Sequence, residues 1–348
     1  MKAVLYEKPW AMRVVDLPQP EPRDGEVLLA VDAVGICGSD VHGFTGESGR
    51  RAPDMVMGHE VGARVAALGP GAGGPPVGTP VALYNIIADH APSPEEGDPS
   101  FLNKQIIGVN LSRRGAMAEY VTVPADNAIP IPSGVGPDIA ALAEPAAVTG
   151  HAFDRLAAHD RSPGPLAILG AGTIGLCAAT VGHLRGFDPI VVLDTVADKA
   201  QAASNFDAQP YHLQAGEEPA ATSAAVEAAL GGRPGVVIDA VGTGPSFTLA
   251  FQLCRPDATL LAIGNLAKEV SLPLQDLVSD EVTVIGSYGF DRASFQASVD
   301  ALPQLAGRLA TFIEARCTLD DVPEVMTALA RGERQERKVI IDVAGAGG

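Results

Sequence analysis

Four reactive groups fall within six residues at Cys37-Gly38-Ser39-Asp40-Val41-His42: a thiol, a hydroxyl, a carboxylate and an imidazole. A set of that kind can hold a metal ion and move a proton. Twenty-two residues after Cys37 comes Gly58-His59-Glu60, and much later Glu144 stands in Ala141-Leu142-Ala143-Glu144-Pro145. Thiolate, imidazole and carboxylate are all zinc ligands, although spacing alone does not establish that these residues converge. A second chemical signal is Gly170-Ala171-Gly172-Thr173-Ile174-Gly175, with Asp194 nineteen residues beyond its last glycine. In a G-x-G-x-x-G turn the first glycine permits the tight bend and the second lets backbone N–H groups approach a pyrophosphate. The third lets helix and strand pack closely. An acid at the position of Asp194 accepts hydrogen bonds from the adenosine ribose and repels a 2′-phosphate, which favours NAD over NADP. Lys199, about a helical turn further on, is the nearest cation and would need help from elsewhere to accommodate that phosphate.

These residues need rigid supports. Cys37 follows the strand-like run Glu26 to Val34 (EVLLAVDAV), and further β-like runs from Ala63 to Leu68, Thr79 to Tyr84 and Ala118 to Pro124 make the first 132 residues an irregular β domain. The glycine turn has the context it requires, with the apolar strand Leu166 to Leu169 before it and the helical pattern Ile174 to Leu184 after it. Short β runs at Ile190 to Leu193, Val236 to Asp239, Thr259 to Ile263 and Val282 to Ile285 mostly alternate with Ala-rich helical segments such as Ala221 to Leu230, which predicts a doubly wound parallel sheet. Helical patterns follow at Ala293 to Leu305 and Val322 to Leu329. A last strand-like run, Lys338 to Val343, is placed to return to the first domain, and the closing AGAGG reads as a frayed tail.

With 348 residues, 47% of them hydrophobic, the chain is long enough for two domains. The 24 Lys and Arg against 42 Asp and Glu give a net charge of −18, which repels nucleic acid phosphates and anionic membrane surfaces. The N-terminal MKAVLYEKPW reads as a strand rather than a signal peptide, and no apolar run approaches the roughly 20 residues of a membrane span. Four scattered cysteines form no disulfide framework, so a cytoplasmic protein is expected. His151, His159, His183 and His212 have no motif around them and read as surface or packing residues, as do Cys177, Cys254 and Cys317 for the core. Arg50-Arg51 could clamp an anionic group on a substrate, but a solvated face or an interface pair is favoured.

Taken in order, CGSDVH, GHE, the Glu144-Pro145 pair and GAGTIG resemble the zinc-containing medium-chain dehydrogenase/reductase family, the family of the alcohol dehydrogenases, over essentially the whole chain. The resemblance implies an α/β protein: a GroES-like catalytic domain from residues 1–145 and 288–348, and a Rossmann NAD-binding domain from 146–287. It implies that Cys37 and His59 are the first two ligands of one catalytic zinc. Glu144 stands at the third-ligand position, where many alcohol dehydrogenases of the family have cysteine; glutamate there is similar to the polyol, sugar and threonine dehydrogenase branch. Glu60 matches a carboxylate that sits on or near the metal, Asp40 the acceptor that orients the ligand imidazole, and Ser39 with His42 the proton relay. The branch often holds a second, structural zinc with four cysteines between positions corresponding to Asn85 and Arg114. That stretch has no cysteine here, so no structural zinc is expected, and its own role (lid, subunit contact or lobe) stays open. A further departure is Ala63, where the family usually has glycine.

The function so implied is hydride transfer between a secondary alcohol (a polyol, sugar or sugar derivative) and NAD, in a homodimer or homotetramer. A primary alcohol dehydrogenase or carbonyl reductase, and a non-catalytic dinucleotide-binding relative, are the alternatives.

Overall fold

EVLLAVDAVG is almost continuously apolar, and it forms the strand Glu26–Gly35, buried along nearly its whole length. The computed structural model describes residues 1–87, 105–110 and 114–343 of the chain, so most of the stretch between Asn85 and Arg114, and the AGAGG tail, lie outside the described residues. Two units divide the chain, Met1–Glu144 with Phe295–Gly348, and Pro145–Ser294.

In the first unit, Glu26–Gly35 sits inside a seven-stranded sheet. It pairs antiparallel with Glu60–Leu68 on one side and with Lys338–Asp342 on the other, and Tyr120–Pro124 also bonds to it. The sheet continues through Pro80–Leu83 to Ala128–Pro130 at one end and through Ile313–Cys317 at the other. A three-stranded sheet of Ala11–Asp16, Lys2–Lys8 and Met55–Val56 shares its apolar core, in which Val4, Leu29, Val34, Met57 and Ile341 are wholly shielded from solvent.

The second unit holds six strands, all parallel, in the spatial order Gln209–His212, Ile190–Asp194, Leu166–Leu169, Val236–Asp239, Thr259–Ala262, Thr283–Gly286. Counted along the chain this is 3-2-1-4-5-6, the doubly wound order whose strand direction of progression reverses between the first and fourth strands. Leu166–Leu169 and Val236–Asp239 flank that reversal, so the glycine turn after Leu169 opens at the crevice where such sheets bind ligands. Gln209–His212 was not among the expected strands. Its sequence QPYH is polar and mostly exposed, as an edge strand tolerates. Among the described residues, no helix is long and apolar enough to cross a membrane.

Candidate functional site

Strand register brings the first cluster together. Gly35, two residues before Cys37, pairs directly with Glu60, so the end of one strand and the start of the next place Cys37, His59 and Glu60 side by side. A thiol sulfur, an imidazole nitrogen and a carboxylate oxygen from these three lie within 4.8 Å of one another. Gly35 is required there, because a Cβ on it would fall 2.0 Å from Oε2 of Glu60. Cys37 caps the helix Gly38–Thr45 in an extended conformation, and its N–H donates to Oδ2 of Asp40 at 3.2 Å. The acid thus sits in the first helical turn, where the dipole favours it.

Asp40 is fully buried, its Oδ1 lying 3.3 Å from Nδ1 of His59 and 3.2 Å from Nη2 of Arg51. The His59 contact is a close ion pair without good hydrogen-bond alignment. Burial alone would push the Asp40 carboxyl up, yet His59 and Arg51 together hold it below its usual range. Burial disfavours the charged His59 ring, but Asp40 and Cys37 lift it well above its ordinary value. Both Glu60 oxygens accept from Nζ of Lys338 at 2.7 Å, and the same ammonium donates to the Ile36 carbonyl at 3.1 Å. Lys338 is 2% exposed and was not foreseen as a site residue; the strand Lys338–Asp342 delivers it by lying beside Glu26–Gly35. Glu144 stands next to the cluster rather than within it. Its Oε1 accepts from Nδ2 of Asn85 at 3.2 Å, and the same Asn85 amide donates to the His59 carbonyl. Burial raises Glu144 to about 7, His59 opposing and Glu60 adding to the shift.

Ser39 Oγ is 3.4 Å from Nε2 of His59. His42 is half-exposed and pairs through Nδ1 with Oε2 of Glu47 at 3.0 Å. The expectation for Arg50-Arg51 needs correction, because the pair divides. Arg50 is exposed, whereas the Arg51 side chain is 2% exposed and bonded inside the protein. Its packing against the Gly38–Thr45 helix leaves it no role as a solvated arginine.

In the second unit the glycine turn leads into the helix Thr173–Leu184. A Cβ at Gly175 would sit 1.7 Å from the Gly170 carbonyl, so helix and turn approach as closely as only glycine allows, while one at Gly172 would meet nothing within 4 Å. Asp194 accepts from the N–H groups of Ala171 and Val196, each at 2.8 Å, which fixes its carboxylate at the end of its strand. Gly170 and Asp194 line a cavity of about 690 Å³ together with Thr195, Glu217, Thr243 and Ser246. Gly172, Thr173, Ile174 and Gly175 are off its wall, and Lys199 lies in the short helix Ala197–Gln201, also off the wall.

A cysteine sulfur, an imidazole and a carboxylate, gathered within 4.8 Å and largely shielded, are the donor types that zinc takes at about 2.0–2.3 Å. Two family models match the chain: the alcohol dehydrogenase GroES-like domain over residues 23–133 and the zinc-binding dehydrogenase over 173–304. The chain is 26% identical over 351 residues to D-xylulose reductase of Saccharomyces cerevisiae, covering 98% of this chain and 97% of that one. A structure from Escherichia coli, an alcohol dehydrogenase complexed with NADH, superposes with a TM-score of 0.85 at 25% identity, over 98% of this chain and 99% of that one. A structure from Sinorhizobium meliloti, assigned as a zinc-binding dehydrogenase and bound to NADP, gives 0.85 at 27% identity over 98% of each chain. The fold and the donor set define a zinc-binding oxidoreductase with a GroES-like and a Rossmann domain. The chain belongs to the zinc-containing medium-chain alcohol dehydrogenase family.

Proposed function

We propose that the protein oxidises a secondary alcohol, a polyol, sugar or sugar derivative, with NAD as hydride acceptor and a single zinc ion at Cys37, His59 and a glutamate. The convergence of the Cys37, His59 and Glu60 donors carries this reading. The relatives it matches include, besides the yeast D-xylulose reductase, a sorbitol dehydrogenase of Bombyx mori and an L-threonine 3-dehydrogenase of Pyrococcus abyssi, all named for secondary alcohol chemistry. Zinc bound here would act as a Lewis acid on the alcohol oxygen, making its proton easier to remove. Ser39, beside His59, would accept that proton as it gives up its own, and half-exposed His42 would release a proton to solvent at the end of the relay. Asp40 orients the His59 ring. Glu60 and Glu144 are the two carboxylates available for the third place. NAD bound here would supply the hydride acceptor, so that loss of hydride from the carbinol carbon and of the hydroxyl proton would leave a ketone.

The second unit would hold the cofactor, the turn Gly170 to Gly175 binding its pyrophosphate and Asp194 its ribose. Asp194 and Glu217 put two carboxylates on the cavity wall, which supports NAD over NADP. A homodimer or homotetramer agrees with the exposed apolar residues Leu274 and Val278 of the helix Leu274–Ser279 and Val284 of the edge strand Thr283–Gly286. No disulfide joins Cys37, Cys177, Cys254 and Cys317, which suits the reducing cytoplasm. A panel of sorbitol, xylitol, threonine and simple primary alcohols, scored by reduction of NAD and of NADP, tests the reading. Turnover with secondary alcohols and NAD is expected; activity confined to primary alcohols, or to NADP, would replace it.

A further inference from the structure

Arg51 does more than fill space behind the site. Its guanidinium spreads three hydrogen bonds over two segments: Nη1 donates to the Val109 carbonyl at 2.7 Å, and Nη2 to the Ser39 carbonyl at 3.1 Å and to Oδ1 of Asp40 at 3.2 Å. That Asp40 oxygen is the one facing His59, and the other is held by the Cys37 N–H. The carboxylate is therefore gripped by the amide of one metal-ligand candidate and by Arg51, and it presents its remaining direction to the imidazole of the next. The guanidinium also packs against the helix Gly38–Thr45, where a Cβ at Gly43 would meet Nε at 2.7 Å and Cζ at 2.9 Å. A planar fork with fixed donor angles suits this three-way grip, and an ammonium does not reproduce it.

We propose that Arg51 is a positioning residue of the metal site: it clamps Asp40 and the carbonyl of Ser39, and through Asp40 it holds the His59 ring in place for the metal. The proposal rests on the reading of Cys37 and His59 as ligands. An arginine that only stapled the helix to the segment around Val109 would affect stability alone. One that orients a ligand imidazole affects the metal as well, since outer partners of ligating histidines are typically worth 10–100-fold in metal affinity.

Two perturbations separate these roles. Arg51→Met removes the fork; Gly43→Ala keeps Arg51, adds a single methyl that the helix tolerates, and pushes the guanidinium off its seat. Each variant, with Arg51→Lys and the unaltered protein, is stripped of metal and loaded with cobalt(II). Cobalt affinity is read by chelator competition, the absorption bands of bound cobalt report ligand geometry, and thermal unfolding reports the fold. For Arg51→Met and Gly43→Ala we expect about 10–100-fold weaker binding and displaced cobalt bands in folded protein, with partial recovery in Arg51→Lys. Cobalt bound with unaltered affinity and spectrum in the folded variants would overturn the proposal and leave the metal site standing. So would unfolding of both variants, which would make Arg51 purely structural. If the unaltered protein binds no cobalt, the metal-site reading fails first and the role of Arg51 falls with it.

Discussion

Lys338 and Glu60 are 278 residues apart in sequence, yet their side chains meet at 2.7 Å with 2% and 1% exposure. Removing one partner of a buried ion pair strands the other charge, so Lys338→Met is expected to cost about 3–5 kcal/mol in urea unfolding. Lys338→Met/Glu60→Gln should recover most of that loss. Glu144 makes a second prediction, for the metal-stripped protein. Its carboxyl is raised by burial from 4.5 to about 7, so its contribution to stability is complete below the unfolded value and is lost as pH rises through about 7. Between about pH 5 and about pH 8, Glu144→Gln should remove up to roughly 3 kcal/mol of that decline, measured by unfolding across the range. A pH dependence identical in the two proteins would show that Glu144 is not the titrating group. Cys37, His59, Glu60 and Asp40 were legible in the sequence because each lies in a short local motif. Lys338, Asn85 and Arg51 were not, because their roles come from strand pairing and helix packing between segments far apart in the chain.

Among the elements, the parallel sheet was readable where strands are buried on both faces, as in LAIL and VVID. Gln209–His212 escaped notice because an edge strand need not be apolar. Ile313–Cys317, written IEARC, alternates apolar with polar residues, but five residues between two helical patterns are too short for the alternation to stand out. The last strand-like run was visible, but its neighbours were not: only the pairing with Glu26–Gly35 explains how Lys338 reaches Glu60. The glycine turn makes a prediction at this scale. Gly175→Ala drives a Cβ into the Gly170 carbonyl and should cost about 1–3 kcal/mol of stability along with NADH affinity. Gly172→Ala meets no neighbouring atom, so it should fold normally and lose affinity for NADH alone, as titration of the cofactor against each variant will show.

At the scale of the whole molecule, one unit gathers Cys37, His59 and Glu60 on an antiparallel sheet and the other carries a glycine-rich turn on a parallel one. A net charge of −18 suits a small, uncharged substrate better than an anionic polymer. Membership of the zinc-containing alcohol dehydrogenase family accounts for both units at once. Alcohol oxidation is proposed to depend on a metal ion held by Cys37, His59 and one of the two glutamates, Glu60 or Glu144. The most direct test is to strip the protein of metal and titrate zinc back while following NADH formation from a secondary alcohol that the intact protein oxidises. Activity is expected to be abolished by stripping, to return in proportion to added zinc, to reach a plateau at about one ion per chain, and not to return in Cys37→Ala. Full turnover by the zinc-free protein, or full recovery in Cys37→Ala, would contradict it.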